Sequence, residues 1–234
     1  MTVSIAFNGA FFAWPYQAGV ASYAQEHNLL DAQSRVYGTS SGAVVAVMLA
    51  SGVDIARVGL AAGLEANAKA KGSRRIPFFA PSGVIATYFE IFGRALPDDA
   101  HTLATGRLFV AVTRVPRFQR KIVSEFASRA ALLDALAASI AIPGVTVPWA
   151  HKSASHGWCL DGGPEVPDDD RRGVQTVRVG VGPRVPMLKV DHIVPSRAIG
   201  LAQRFLIAPD RERRELFALG YADAARYWNA AKAA

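Results

Sequence analysis

Short apolar segments alternate with longer helix-like ones along the first part of the chain. Thr2–Phe7 reads TVSIAF and stops at an Asn-Gly pair, which predicts a buried strand followed by a turn. Pro15 suits the first turn of a helix that continues through Ala18–Glu26. Arg35–Thr39 predicts a second strand, and it leads directly into Ser41–Ala50, which is apolar on every side. A helix of that composition is expected to be buried all round.

The alternation continues to the end of the chain. Apolar spacing and capping residues predict four more helices: from Asp54 to Ala70, over Val84–Arg94, from Ser128 to Ser139, and along the stripe Phe217, Tyr221, Ala224 and Trp228. Three further strands are predicted: Arg107–Thr113, Lys121–Val123 and Val174–Val181. Strands that alternate with helices favour one layered α/β domain, and without an internal repeat or long linker it should cover residues 1–234.

Composition narrows the class of protein. With 51% apolar and 19% charged residues, the 234-residue chain can bury a core, which excludes global disorder. The single cysteine, Cys159, excludes a disulfide framework and a multi-cysteine zinc module. Apolar runs are too short for a transmembrane helix, and the first basic residue is Arg35, so we expect neither a membrane span nor a signal peptide. These features predict a cytoplasmic protein.

The positive charge is concentrated near the end of the chain. From Arg171 onward there are 12 Lys and Arg against 5 Asp and Glu, whereas the two signs balance before that point. Such an excess of positive charge favours contact with an anionic membrane surface. A face that is only solvated is the alternative. Nucleic acid is not expected, because no binding signature accompanies the charge.

A second basic cluster precedes two aromatic residues near the middle of the chain. This stretch reads KGSRRIPFFAPSG over Lys71–Gly83, and its basic residues with Lys69 precede Phe78 and Phe79. The pattern fits peripheral contact with an anionic membrane, while packing of both rings in the core is the alternative.

Candidate chemistry begins with a G-x-S-x-G string. Gly38-Thr39-Ser40-Ser41-Gly42 lies between a predicted strand and a predicted helix. A sharp turn there exposes the serine oxygen, and glycines on both sides tolerate the crowded backbone. We therefore interpret Ser40 as a nucleophile, with Gly38 and Gly42 shaping its elbow; the alternative is a plain turn that caps a buried helix.

Two residues could serve as the base that a serine nucleophile needs. Asp161 follows the apolar Trp158–Leu160, and His192 follows later, so Ser40, Asp161 and His192 have the chain order of an α/β-hydrolase triad. An ordinary hairpin turn at the Asp-Gly pair is the alternative for Asp161. The other histidines show no metal-ligand spacing, and neither a metal nor another cofactor is predicted.

The turn after the first strand could supply hydrogen-bond donors to an oxyanion. It should open at the same edge of the sheet as Ser40, which makes the backbone amides of Gly9, Ala10 and Phe11 the candidates. A plain strand-to-helix turn is the alternative.

Taken in order, these segments resemble the patatin-like phospholipase family. Phe7–Phe11, continuing to Gly19-Val20, is similar to its oxyanion segment, and Gly38–Gly42 to its nucleophile elbow. Asp161-Gly162-Gly163 is similar to its aspartate motif. Two further segments are also similar: Leu133–Pro143 and Leu219-Gly220-Tyr221.

The resemblance implies a fold and an activity. The fold is a single three-layer α/β domain whose mostly parallel central sheet is flanked by helices. The activity is hydrolysis of lipid acyl esters by a dyad without histidine, with Ser40 as the nucleophile and Asp161 as the base. A carboxylate of ordinary pKa is a poor base near neutral pH, so Asp161 must be desolvated for the dyad to work.

The chain departs from the family in the oxyanion segment. Ala10, Phe11, Ala13 and Trp14 occupy positions where the family carries glycines. A side chain at a position that needs a positive φ costs about 1–2 kcal/mol and displaces an amide. The departure leaves open a catalytically weak or inactive lipid-binding module. Separately, the chain order leaves open a small esterase with a Ser40-Asp161-His192 triad. The sequence does not define the oligomeric state.

Overall fold

A seven-stranded mixed sheet forms the centre of the molecule. The computed structural model describes residues 2–72, 81–164, 166–182 and 191–233. The spatial order of the strands is β5-β6-β3-β2-β1-β7, and β4 also pairs with β3. The strands are β1 (Val3–Phe7), β2 (Val36–Gly38), β3 (Leu108–Arg114), β4 (Gln119–Val123), β5 (His151–Ser153), β6 (Gly157–Leu160) and β7 (Gln175–Val179).

The core strands β1, β2, β3 and β7 are parallel, whereas β4, β5 and β6 pair in antiparallel fashion. Phe7 at the end of β1 pairs with Gly38 in β2 and with Val179 in β7. The carboxyl ends of these three strands therefore coincide at one edge of the sheet, the edge at which α/β proteins usually place their sites.

Helices flank the sheet, which confirms the α/β architecture expected from the sequence. They are α1 (Trp14–Glu26), α2 (Ser41–Ala50), α3 (Leu60–Gly72), α4 (Pro81–Ala95), α5 (Ala100–Ala104), α6 (Arg129–Ser139), α7 (Leu201–Phe205) and α8 (Asp210–Ala233). A 3-10 turn over Phe11–Ala13 precedes α1, and a π-helical turn over Ile55–Gly59 precedes α3.

Local sequence signals explain where several helices begin. The Asp54 side chain accepts a hydrogen bond from the Arg57 N–H at 2.9 Å, and the Ser128 hydroxyl accepts one from the Ala131 N–H at 3.1 Å. Pro15 lies in the first turn of α1, where a missing N–H costs nothing. The predicted caps are thus confirmed, although a π-helical turn follows Asp54 before the α-helix.

Side chains of β1 alternate between two apolar clusters. Ile5 and Phe7 belong to the main core, together with apolar residues of α1, α2 and α6. Ala6 points to the other face, where it packs with Tyr37 and Val166. The segment after Asp161 therefore covers part of the second face of the sheet.

Helix α8 packs closely on α1 through two glycines. A Cβ atom on Gly19 would lie 2.0 Å from the Phe217 carbonyl oxygen, and one on Gly220 would lie 1.9 Å from that of Tyr16. Both glycines are therefore required by the close approach of the two backbones. The predicted C-terminal helix is confirmed, and it lies against the first helix of the chain.

The basic C-terminal part is not only a solvated face. Arg171 pairs with Asp169 at 2.6 Å, and the buried Arg178 pairs with Asp168. Arg213 is fully buried and lies over the Phe12 ring, with its guanidinium carbon 5.9 Å from the ring centre. Three of the arginines that make up the positive excess therefore have a structural role. Arg171 and Arg178 each pair with an aspartate, and Arg213 is buried in the core.

The proposed membrane contact at Phe78 and Phe79 lies outside the described residues. Lys69, at the start of that cluster, forms an ion pair with Glu65 at 3.1 Å within α3. Among the described residues, the helices are too short or too polar to cross a bilayer.

Candidate active site

Ser40 occupies a strained turn between β2 and α2. Its backbone has φ +55° and ψ −135°, which is unusual for a residue with a side chain. A Cβ atom on Gly42 would lie 2.4 Å from the Phe7 carbonyl oxygen, so glycine lets the turn pass under β1. The predicted strand, turn and helix are all present, and the plain-turn alternative does not explain the strain.

The elbow is fixed by hydrogen bonds from neighbouring elements. The Ser40 N–H donates to the Ser139 hydroxyl at 3.0 Å, and the Thr39 N–H donates to the Phe7 carbonyl at 3.1 Å. Ser139 is the last residue of α6 and is fully buried. The backbone around Ser40 is thus held on one side by β1 and on the other by α6.

Asp161 follows β6 and lies against the same elbow. Its N–H donates to the Ala141 carbonyl at 2.8 Å, and the Gly162 N–H donates to the Ser139 carbonyl at 3.2 Å. A Cβ atom on Gly162 would lie 2.1 Å from the Ala111 carbonyl oxygen, which explains the glycine. The hairpin-turn alternative is wrong, because the chain beyond Asp161 does not return to pair with β6.

The Asp161 carboxyl group is desolvated and only partly hydrogen-bonded. Burial raises its pKa to about 6, although the Ser40 hydroxyl, the Gly163 N–H and the Arg120 charge each lower it. Oδ1 accepts the Gly163 N–H at 2.8 Å, while Oδ2 has no partner of normal hydrogen-bond geometry among the described residues. Ser40 is therefore near enough to influence the carboxyl group without forming a full hydrogen bond, as is common in unliganded sites.

The loop after β1 meets the elbow, but two of its three candidate amides are already used. The Gly9 N–H donates to the Pro164 carbonyl at 3.2 Å, and the Ala10 N–H donates to the Ser41 hydroxyl at 3.0 Å. These bonds tie the loop to both the aspartate segment and the elbow. Gly9 and Ala10 therefore shape the loop instead of offering free donors.

Two other amides, one in the loop and one in the elbow, have no hydrogen-bond partner among the described residues. In the part of the chain that the structure describes, neither the Phe11 N–H nor the Ser41 N–H donates to another residue. Ser41 begins α2, where the first N–H groups lack partners within the helix. The Phe11 amide was among the predicted donors. The Ser41 amide was not, although its place directly after Ser40 could have indicated it.

Phe11 has a left-handed backbone conformation, which a glycine at this position would adopt without strain. Its φ is +49°, in the left-handed region, so its side chain costs about 1 kcal/mol or more. Its ring packs against Phe205 of α7, with centroids 4.7 Å apart. The aromatic contact offsets the strain and keeps the loop in place.

His192 lies away from this arrangement. Its Nδ1 accepts the Arg178 N–H at 3.0 Å, and its neighbour Ile193 forms a bridge with Val179 of β7. Strands β7 and β1 therefore separate it from Ser40. The structure brings together Ser40 and Asp161 but not His192, which favours the dyad over the triad.

Comparison with known proteins matches a part of the chain that contains these segments. The family model described as patatin-like phospholipase matches residues 5–166, which include the loop after β1, the elbow and the aspartate segment. In structure, the chain is similar to VipD from Legionella pneumophila, with a TM-score of 0.55 at 13% identity, covering 98% of this chain and 67% of that one. This likeness concerns the fold alone.

Curated relatives match in sequence over one part of their length. The chain is 33% identical to patatin-like phospholipase domain-containing protein 2 of Rattus norvegicus, over 60% of this chain and 30% of that protein. It is 30% identical to the human omega-hydroxyceramide transacylase, over 60% of this chain and 26% of the relative. It is 27% identical to the human 1-acylglycerol-3-phosphate O-acyltransferase PNPLA3, over 96% of this chain and 50% of the relative. The chain thus spans half or less of these relatives, and the match over most of its own length shows that it belongs to the patatin-like phospholipase family.

Proposed function

We propose that this protein is a lipid acyl hydrolase that cleaves carboxylic esters through an acyl-enzyme on Ser40, with Asp161 as the base. The observation that carries the proposal is a desolvated carboxyl group with a raised pKa beside a serine on a strained elbow. A carboxylate with a pKa near 6 is still ionised at neutral pH, yet accepts a proton more readily than an ordinary aspartate. These are the two properties that a histidine would otherwise supply.

The first half-reaction would proceed as follows. The Ser40 oxygen attacks the ester carbonyl carbon while its proton passes to Oδ2 of Asp161, the buried oxygen without a partner of normal geometry. The negative charge on the former carbonyl oxygen is stabilised by the N–H groups of Phe11 and Ser41. As the tetrahedral intermediate collapses, the alcohol leaves with the proton from Asp161, and the acyl group stays on Ser40.

The second half-reaction reverses these roles. Asp161 takes a proton from water, the resulting hydroxide attacks the acyl carbon, and Ser40 leaves with that proton as the acid is released. An alcohol in place of water would give acyl transfer by the same steps. The names of two relatives, a transacylase and an acyltransferase, are consistent with that acceptor.

The family and the names of the relatives support the proposed substrate class. The relatives are named for phospholipase, ceramide and acylglycerol phosphate chemistry, which supports a lipid ester as substrate. The dyad needs no metal or cofactor, because Ser40 supplies the nucleophile and Asp161 the proton transfer.

Turnover of a water-soluble short-chain ester tests the proposal without a lipid surface. Ser40→Ala and Asp161→Asn should each lower kcat by at least about 10³-fold, as loss of a catalytic nucleophile or base does. His192→Ala is the matched control and should keep most of the activity. Loss of activity in His192→Ala, with folding unchanged, would favour the triad instead. No turnover in the unmodified protein would favour the inactive lipid-binding alternative.

A further inference from the structure

We propose that two adjacent hairpins, residues 113–123 and 147–160, form a docking surface for an anionic phospholipid bilayer beside the dyad. We call this region the hairpin surface; it contains the β3–β4 turn, the approach to β5, and the β5–β6 pair. The role of the surface in supplying substrate rests on the proposed function. Binding itself does not, because it requires neither Ser40 nor Asp161.

Large aromatic side chains on the hairpin surface are exposed. Phe118 is 70% exposed, Trp149 is 56% exposed and Trp158 is 39% exposed. The Trp149 and Trp158 rings lie against each other with centroids 4.4 Å apart. They border an open apolar groove of about 410 Å³, whose other lining residues include Val115, Pro116 and Leu160. Large apolar side chains that are exposed next to one another mark an interaction surface in a folded protein.

Phe118 is held outward at an energetic cost. Its φ is +50°, in the left-handed region, and its exposed ring gains little from packing. Phe11 has a similar φ, but there the contact with Phe205 offsets the cost. The hairpin turn accounts for this φ, but a large aromatic ring left exposed at the tip of the hairpin is available for contact outside the chain.

The charge of the hairpin surface identifies the occupant. Residues 113–123 and 147–160 contain no Asp or Glu, and they carry five basic residues: Arg114, Arg117, Arg120, Lys121 and Lys152. All five are exposed. The Lys152 ammonium lies 5.8 Å from the centre of the Trp158 ring, so cation and aromatic face are presented together. Aromatic rings enter the headgroup and acyl boundary while Lys and Arg attract anionic headgroups, which is the chemistry of an acidic lipid bilayer.

The hairpin surface is continuous with the dyad. Leu160 lines the groove, and the next residue along the chain is Asp161. Arg120 lies on the hairpin, and its charge lowers the pKa of the Asp161 carboxyl group. The turn that carries Phe118 follows the carboxyl end of β3, at the same edge of the sheet as Ser40. A bilayer bound here would therefore present its lipid esters at the mouth of the site.

The four tryptophans allow a direct measurement of this contact. Trp14 and Trp228 are only 5% and 7% exposed, so a change of emission on lipid binding comes from Trp149 and Trp158. The probe is a vesicle of equal amounts of phosphatidylcholine and phosphatidylglycerol, compared with one of phosphatidylcholine alone. We expect a blue shift and co-sedimentation with the anionic vesicles. Phosphatidylcholine with brominated acyl chains, mixed into those vesicles, should quench the shifted emission.

Three variants make the test specific. Arg117→Gln with Lys152→Gln should weaken partitioning by roughly 30-fold, at about 1 kcal/mol for each basic residue near the surface. Phe118→Ser with Trp149→Ser should abolish quenching of the remaining Trp158. Leu103→Ser is the matched control: it is 43% exposed, but it precedes the amino end of β3, at the opposite edge of the sheet, and should bind normally.

Each outcome separates this inference from the proposed function. Turnover of the soluble short-chain ester should be unchanged in all three variants, whether or not they bind vesicles. Absence of a blue shift with anionic vesicles, or equal binding of the double serine variant, would overturn the docking surface even if the ester is cleaved. A blue shift that depends on protein concentration without lipid would also overturn it, because the surface would then be an interface between copies of the chain.

Discussion

Ser139 holds Ser40 and the aspartate segment at the same time. Its hydroxyl accepts the Ser40 N–H at 3.0 Å, while its carbonyl accepts the Gly162 N–H at 3.2 Å. Residues 40 and 161 are far apart in sequence, so their approach depends on a third element. The last residue of α6 provides it by bonding with both.

Ser139→Ala tests this positioning role. The substitution leaves a buried N–H of Ser40 without a partner, which should cost about 1–3 kcal/mol of stability and lower kcat more than it raises KM. Ser128→Ala is the matched control, because it removes the cap at the other end of α6 for about 1 kcal/mol. If both variants lose activity in proportion to their stability alone, Ser139 has no positioning role.

The pH dependence of turnover reports the state of Asp161. Because burial raises the pKa of this carboxyl group to about 6, the proposed base is ionised above that pH and protonated below it. We expect kcat/KM for a soluble ester to fall as pH decreases through about 6, approaching a tenfold loss for each further unit. A profile that stays flat down to pH 5 would contradict the assignment of Asp161 as the base.

The same raised pKa should make Asp161 a destabilising residue at neutral pH. The folded state binds the proton more tightly than the unfolded state, where the ordinary value is 3.8, so stability is lost as pH rises from about 4 to 6. Asp161→Asn removes this loss and should be about 2–3 kcal/mol more stable at pH 8, at 1.36 kcal/mol per pKa unit. Denaturant unfolding at pH 8 and at pH 4 measures the free energy of unfolding of both proteins. The stability advantage of Asp161→Asn should be much smaller at pH 4.

The strain at Phe11 predicts an unusual order of stability between two small substitutions. Both Phe11→Ala and Phe11→Gly lose the ring contact with Phe205, but only glycine relieves the φ of +49°. Phe11→Gly should therefore be more stable than Phe11→Ala by about 1 kcal/mol, as thermal unfolding can measure. An alanine variant at least as stable as the glycine variant would show that the loop can leave this conformation.

Local signals in the sequence were sufficient for most of the central elements. The apolar run before Phe7, the Pro15 turn and the caps at Asp54 and Ser128 predicted elements that the structure confirms. Each depends on residues within a few positions of one another. Strands β5 and β6 were not predicted, because both are short and β6 forms by pairing with β3, which lies far away in the sequence.

The candidate site was predictable only in part, for a related reason. Ser40 and Asp161 stand in recognisable strings. Ser139 lies in the similar segment Leu133–Pro143, but no role was predicted for it, because its contacts with the elbow form only when the end of α6 packs there. The fate of the Gly9 and Ala10 amides depends on Pro164 and Ser41, which come near only when the chain is folded. Sequence indicates which residues are candidates for the chemistry, while long-range packing decides which backbone N–H groups are left without a partner.

Covalent labelling tests the central assignment most directly. A fluorophosphonate reacts with an activated serine by displacing fluoride, and peptide mass spectrometry locates the adduct, distinguishing Ser40 from the adjacent Ser41. We predict one adduct per chain, on Ser40, that is absent in Ser40→Ala and strongly slowed in Asp161→Asn. Stoichiometric labelling at another residue, or an unlabelled Ser40 in protein that cleaves esters, would contradict the account.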